Sequence, residues 1–149
     1  MKFFKHLVQV SVVVSVLLAS GCASVKQASP ELDAAAKEFK KDPATSQVYV
    51  YRNETLGAAL SMPVTVNGKL AGNTGPNSFF KFDLPAGEHE LTSQGKESVL
   101  NITTENGEIY YIWQEVKMGA FSGGSLLQLV GEQEGQQGVK ECSLIDATL

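Results

Sequence analysis

The sequence predicts an all-β fold, a small antiparallel β-sandwich that is preceded by a signal peptide, a tether and one short helix. Three observations support this prediction. The chain has 149 residues, which suits one domain. From Gln47 onward, apolar residues recur at every second position in short segments, as in half-buried strands. Turns rich in Gly, Asn and Pro separate these segments at short intervals, an arrangement typical of sandwiches and partial barrels.

The first 21 residues have the composition of a secretion signal. Two lysines give a basic start, residues 7–18 are mostly apolar, and small residues then lead through Gly21 to Cys22. An apolar run of about 12 residues is too short to span a bilayer, which takes about 20. We therefore expect residues 1–21 to be a cleaved signal peptide. A buried core helix is the alternative interpretation.

The segment Leu17–Cys22 resembles the lipobox of bacterial lipoproteins. In that class the signal is cut just before the cysteine, whose thiol is diacylated. Ala19 departs from the commonest pattern, which has Leu at this place. The resemblance implies cleavage between Gly21 and Cys22 and lipidation of Cys22. Because Ala23 rather than Asp follows, it also implies a protein lipid-anchored in the outer membrane of a two-membrane bacterium, on the periplasmic face. A plain secreted protein is the alternative.

The rest of the chain divides into two predicted parts. Residues 22–46 would hold the lipidated N-terminus, an unpatterned tether over 23–29 and a short helix. Ser29 is the expected N-cap of that helix, and Pro30 takes its first position. Its apolar face is predicted from helical spacing as Leu32, Ala35, Ala36 and Phe39. Residues 47–149 would form the β-sandwich.

Alternation and turn residues predict the individual strands of the sandwich. They cover residues 47–52, 63–66, 69–72, 78–84, 88–93, 99–104, 108–117 and 126–130. Asn67-Gly68 and Asn106-Gly107 each predict a hairpin between consecutive strands. The strand over 108–117 is apolar on both faces, which indicates a central position. Phe79 is expected to face outward, and residues 139–145 are left open between a short helix and a last strand.

The middle of the chain resembles a small sandwich family, the domain of unknown function 2846, which occurs in bacterial lipoproteins. The stretches Val64–Thr74 and Phe80–Leu91 carry the resemblance. A valine strand runs into Asn-Gly, and a later strand ends in Pro-x-Gly before a strand that bears His and Glu. A similar pattern occurs in PEGA domains. The resemblance covers about residues 47–130. It implies a fold and a location in the cell envelope, but no reaction and no ligand.

The charge balance bears on the class of partner. Without Lys2 and Lys5 of the signal, the mature chain has 10 of the 12 basic residues against 16 acidic ones. Nucleic acids and anionic lipids attract basic patches, so a mildly acidic chain argues against both as partners. The expected partners are the membrane, through the lipid anchor, and an envelope protein or glycan.

The titratable residues do not form a recognisable reaction centre. His89 is the one histidine of the mature chain, and alternation on its strand points it away from Glu88 and Glu90, so we expect a structural histidine. An acylated Cys22 cannot form a disulfide. Cys142 is therefore expected as a small buried apolar residue, with a reactive or dimer-forming thiol as the alternative. One His and one Cys do not supply a zinc site. No catalytic residue, metal site or cofactor is predicted, and ligand-binding residues are not assigned.

Two further features leave alternatives open. The glycine-rich segment Gly119–Ser125 lacks the Gly-Lys-Ser/Thr ending of a phosphate-binding loop. It is either a hairpin connection or an apolar contact loop formed with Met118, Phe121 and Leu126. The strand aromatics are expected mostly in the core, although exposed ones would form a stacking face: Tyr49, Tyr51, Phe79, Tyr110, Tyr111 and Trp113.

Together these patterns predict a non-enzymatic, membrane-anchored lipoprotein of the bacterial envelope with a periplasm-facing binding or assembly domain. The alternative is a glycan- or peptide-binding module that uses exposed aromatics. A hydrolase is a more remote alternative, since it would require His89 beside a Ser or Asp in a cleft.

Overall fold

The computed structural model describes residues 25–95, 98–119 and 123–149. The predicted signal peptide, the cleavage position and Cys22 lie outside these residues. Within them the chain forms two β-sheets that pack face to face, and two short helices cover the outer face of one sheet. The prediction of an all-β sandwich is confirmed.

Nine strands and two helices occur in the described part of the chain. The helices are α1 (Pro30–Ala36) and α2 (Glu132–Lys140). The strands are β1 (Ser46–Arg52), β2 (Met62–Val66), β3 (Lys69–Thr74), β4 (Ser78–Leu84), β5 (Gly87–Thr92), β6 (Val99–Thr104), β7 (Ile109–Met118), β8 (Gly123–Val130) and β9 (Ser143–Leu144). The five-stranded sheet has the order β8-β7-β1-β4-β9, and the four-stranded sheet has the order β3-β2-β5-β6.

Of the two predicted hairpin turns, one is confirmed and one is wrong. Asn67-Gly68 joins the antiparallel pair β2 and β3, and both residues have the positive φ that such a turn requires. Asn106-Gly107 instead carries the chain from one sheet to the other. β6 pairs with β5, whereas β7 lies between β8 and β1 and is parallel to β1. A turn residue fixes the local bend of the chain but does not choose the strand's partner.

The inner core fills the space between the two sheets. Alternation predicts its members correctly on β4, where Phe80, Phe82 and Leu84 point inward. On the other sheet, β2 and β5 contribute buried valines and Leu91. Removing such apolar surface from water is the main favourable term in folding, at about 25 cal/mol per Å².

The outer face of the five-stranded sheet is also buried, which differs from the prediction for Phe79. This side chain is fully buried together with Tyr49, Tyr51 and Tyr111. The cover is α1 and α2. α2 was not predicted, because its sequence is rich in Gln, Glu and Gly and has little apolar periodicity. Residues 139–145 were predicted as either a short helix or a last strand, and they contain both, the end of α2 followed by β9.

Residues 25–28, which the sequence analysis placed in a tether, are held against the body of the domain. Gln27 forms an antiparallel bridge with Ile145. The Ala28 N–H donates to the Leu144 carbonyl at 2.9 Å, and the carbonyl of Lys26 accepts from Asp146 N–H at 3.3 Å. The sequence of this segment shows no strand-like alternation, and its pairing could not be predicted because backbone atoms rather than side chains form it.

In the part of the chain that is described, the helices are too short and too polar for any of them to cross a bilayer.

A candidate binding groove beside the first helix

A groove runs between α1, the outer face of β1 and β4, and the segment that follows β9. Its volume is about 590 Å³. One wall is the small-residue face of α1, and the opposite wall is residues 144–147. The lining residues are Ala28, Leu32, Ala35, Ala36, Glu38, Lys40, Gln47, Tyr49, Lys81, Leu144, Ile145, Asp146 and Ala147.

An N-terminal cap and a contact from the middle of α1 hold this wall in place. Ser29 caps the helix by accepting from Leu32 N–H, and Pro30 follows at the first position, as predicted. Asp33 then ties the helix to the C-terminal segment, because its Oδ1 accepts from Leu144 N–H at 2.7 Å. The helix ends at Ala36, earlier than its predicted apolar face requires. Leu32, which was predicted on the apolar face, does not pack into the core: it is 58% exposed and lines the groove.

Tyr49 forms part of the floor of the groove. Its hydroxyl donates to the Ala36 carbonyl at 2.7 Å. Burial, and to a smaller extent the neighbouring Tyr111 and Asp83, raise the pKa of Tyr49 well above its ordinary value. The phenol therefore stays neutral and keeps its donor role across the physiological range.

Gln47 lines the same groove and carries a buried acceptor without a partner. The residue is only 5% exposed, and its buried Oε1 has no hydrogen-bond partner. An unsatisfied buried polar atom costs about 1–3 kcal/mol. Because Oε1 is shielded from solvent, a donor in the groove would reach it only after the Gln47 side chain turns toward the groove. This is the feature of the groove that points to binding.

The rim of the groove carries both signs of charge. Lys40 pairs with Glu38 at 3.4 Å, Lys81 pairs with Asp83 at 3.0 Å, and Asp146 pairs with Lys26 at 3.1 Å. Such balanced, partly exposed pairs contribute little net field. The groove is therefore suited to an uncharged polar group, such as an amide or a hydroxyl, more than to an ion.

His89 lies in β5, away from this groove, and both of its ring nitrogens are engaged. Nδ1 accepts from the Asn67 side-chain amide at 2.9 Å, and Nε2 donates to the Pro85 carbonyl at 2.8 Å. The residue is 6% exposed, while Glu88 and Glu90 lie on the exposed side of the strand. This is the environment that the prediction of a structural histidine implies.

Cys142 is a buried residue of the outer-face cluster, as predicted. Its thiol donates to the Arg52 carbonyl at 3.4 Å, and burial raises its pKa to about 12. The thiolate is the reactive form of cysteine, so this side chain is inert at neutral pH. Across the described ranges, no three His, Cys, Asp or Glu side chains come together in a way that could hold a metal ion.

The strand aromatics do not form an exposed stacking face. Four of them are buried under the helices: Tyr49, Tyr51, Phe79 and Tyr111. Tyr110 and Trp113 are half-buried. In the glycine-rich segment, residues 120–122, with Phe121, lie outside the described residues, whereas Gly123–Ser125 belong to β8. Met118 is 58% exposed at the end of β7.

Arg52 is a structural residue that the sequence analysis did not single out. It is fully buried at the end of β1, and its guanidinium donates to the carbonyls of Leu60 at 2.7 Å and Gly57 at 2.9 Å. Burial lowers its pKa, an effect that nearby Glu54 opposes. Arg52 thereby fixes the connection between β1 and β2. A strand-terminal arginine has no periodic signature, so this role could be found only from the structure.

The described residues define a small β-sandwich with two short helices on one face, and sequence comparison identifies its family. Residues 42–125 match the DUF2846 family, described as a protein of unknown function, and this match covers more than half of the chain. The chain belongs to this family, so the resemblance noted in the sequence is confirmed.

A similar protein occurs in Haemophilus influenzae strain Rd, where it is described as an uncharacterized protein. It is 36% identical over 146 residues, which cover 95% of this chain and 87% of the relative. No solved structure matches this chain.

Proposed function

We propose that this chain is a non-enzymatic lipoprotein of the bacterial envelope, anchored through Cys22 in the outer membrane, with a sandwich domain that binds or assembles in the periplasm. The single observation that carries this proposal is the lipobox Leu17–Cys22, which is followed within a few residues by the folded body. One acyl chain holds a protein only marginally, whereas two or more give a stable anchor.

The titratable side chains support binding rather than hydrolysis. Both ring nitrogens of His89 are hydrogen-bonded to structural partners, so neither is available as a base. The thiol of Cys142 is buried and neutral. A Ser–His or Cys–His mechanism needs a free base within hydrogen-bond reach of its nucleophile. A binding or assembly role needs neither.

Metabolic labelling with palmitate tests the anchor. In cells that express the full chain, the wild-type protein is expected to incorporate label. Cys22→Ser is expected to incorporate none and to keep its signal peptide, because lipidation precedes cleavage in this class. Cys142→Ala is the matched control and is expected to be labelled like wild type. Label in Cys22→Ser would contradict the proposal, and separation of the two membranes by density tests the outer-membrane address.

The groove favours a second, more specific candidate, a module that binds a glycan or a peptide through hydrogen bonds at Gln47 instead of through exposed aromatics. Such ligands carry uncharged N–H and O–H donors, and the Gln47 Oε1 is an acceptor that has no donor to pair with.

Retention of the full lipoprotein on purified peptidoglycan tests this candidate. Gln47→Leu is expected to reduce retention while the free energy of unfolding stays equal or rises, because the variant removes an unsatisfied buried acceptor. Gln133→Leu, at an exposed position of α2, is the control and is expected to keep retention. Equal retention of Gln47→Leu and wild type would count against the groove.

A further inference from the structure

The N-terminal segment is attached to one particular edge of the sandwich. Residues 25–28 run antiparallel to residues 144–147, and Val25 packs against the inner core. The same C-terminal segment reaches β3, because the Thr148 N–H donates to the Ala71 carbonyl at 2.9 Å. We name the surface formed by residues 25–28, residues 143–149 and β3 the closed edge. β8 and β6 form the opposite, or far, edge.

The length of chain between Cys22 and Val25 limits how far a lipid anchor can lie from the closed edge. Val25 is three chain steps beyond Cys22, and a fully extended chain advances at most about 3.6 Å per residue, so the two Cα atoms are at most about 11 Å apart. Residues 25–28 lie beside the segment that continues β9, as a sixth strand of the larger sheet. From there, β8 on the far edge is five strand spacings away, or about 24 Å. A lipid attached to Cys22 can therefore bring a bilayer to the closed edge more readily than to the far edge.

The closed edge also carries apolar side chains in water. Leu70 on β3 is 50% exposed, and Leu149, next to Thr148, is 44% exposed. Lys26 and Lys69 are exposed on the same edge; Lys26 is paired with Asp146, so Lys69 is the basic side chain there that can meet a lipid phosphate without first giving up that pair. These side chains match an interface of headgroups and upper acyl chains, in which apolar burial and basic residues both contribute to attraction.

We propose that the lipidated domain sits flush on the bilayer, with the closed edge against the headgroups and the far edge directed away from the membrane. This inference rests on the proposed lipidation of Cys22. The occupant of the closed edge is the bilayer that holds the anchor. The end of β7 with Met118 is then free to meet partners in the periplasm.

Fluorescent labels on single introduced cysteines test this orientation. The full lipoprotein is placed in vesicles of phosphatidylethanolamine and phosphatidylglycerol that carry a headgroup-linked quencher. Leu70→Cys and Leu149→Cys probe the closed edge. Leu129→Cys and Val99→Cys are matched controls on the far edge, since they replace apolar residues that are 53% and 50% exposed. Native Cys142 is buried and is expected to stay unlabelled.

The expected result is quenching at least about threefold stronger at the two closed-edge positions than at the two far-edge positions. A spacer of about 12 Gly and Ser residues inserted after Ser24 would span about 20 Å and is expected to abolish the difference while the protein still floats with the vesicles.

The two proposals fail in different ways. Flotation with equal quenching at all four positions, or with stronger quenching at the far edge, overturns the flush orientation and leaves the anchor intact. A mature wild-type protein that does not float with vesicles overturns the anchor itself.

Discussion

The inner and outer faces of the five-stranded sheet are both buried, but they are filled differently. The inner face packs against the second sheet through aliphatic side chains and phenylalanines. The outer face packs against two short helices mainly through three tyrosines and Phe79. Tyr49 stacks between Phe79 and Tyr111, with ring centroids 6.0 and 5.5 Å apart. The outer face is therefore a second buried core, although it is rich in tyrosines.

The contact between α2 and the outer face depends on glycines, which have no side chain. A Cβ added at Gly135 would lie 2.2 Å from the Cβ of Tyr111, and one at Gly138 would lie 2.1 Å from Cε2 of Tyr51. The rings thus pack directly on the backbone of α2. Tyrosine suits this arrangement because its hydroxyl reaches polar atoms at the edge of the cover, as Tyr49 does at the Ala36 carbonyl.

The largest expected effect tests whether the outer face is a core at all. Phe79→Ala is expected to lower the free energy of unfolding by about 3–5 kcal/mol, the same range as Phe80→Ala on the inner face, because both side chains are fully buried. Urea unfolding of the two variants measures this. Leu129→Ala, at an exposed position, is the control and should stay within about 0.5 kcal/mol of wild type. A similarly small change in Phe79→Ala would show that the helices do not cover this face.

A smaller effect tests the close approach of α2. Gly138→Ala is expected to destabilise the fold by about 1–3 kcal/mol, since the new methyl group overlaps the ring of Tyr51. The sign is diagnostic, because Gly→Ala inside an unconstrained helix stabilises by about 1 kcal/mol. Gln133→Ala, on an exposed position of the same helix, should be nearly neutral. Thermal unfolding distinguishes these cases, and a stabilised Gly138→Ala would refute the contact.

The smallest effect concerns pH. Burial raises the pKa of Cys142 from about 9 to about 12 and that of Tyr51 from about 10 to about 12. The unfolded chain releases these protons first, so stability is complete below pH 9 and is lost as pH rises toward 12. At pH 10 the Cys142 thiol alone is expected to account for a loss of about 1.4 kcal/mol.

Chemical unfolding between pH 8 and pH 10 measures this loss. Cys142→Ala should have a shallower decline over that range than wild type, whatever its stability at pH 8. Equal slopes would indicate that the thiol is accessible to water in the folded state.

The strands could be predicted from the sequence because each one contains its own signal. β4 has the predicted bounds, Ser78–Leu84, since Phe80, Phe82 and Leu84 alternate and turn residues stand at both ends. Pairing is a different property. β7 pairs in parallel with β1, which is far away in the sequence, and the Asn106-Gly107 turn contains no information about that partner.

The groove could not be predicted, because its members come from separate elements. Gln47 begins a strand, Leu32 lies on α1, and Asp146 follows β9. None of these residues belongs to a motif, and the unpartnered state of the Gln47 amide oxygen exists only after folding. His89 and Cys142 could be assessed from the sequence, since each lacked the neighbours that a reaction would need.

The bridge between Gln27 and Ile145 also constrains the order of folding. Contacts between residues this far apart in sequence form late, because a long loop must be closed before they gain anything. The edge that holds the N-terminal segment stays open until Ile145 is available. A chain still emerging from a ribosome therefore lacks this contact until Ile145 has emerged, and the edge beside residues 25–28 is among the last parts of the domain to form.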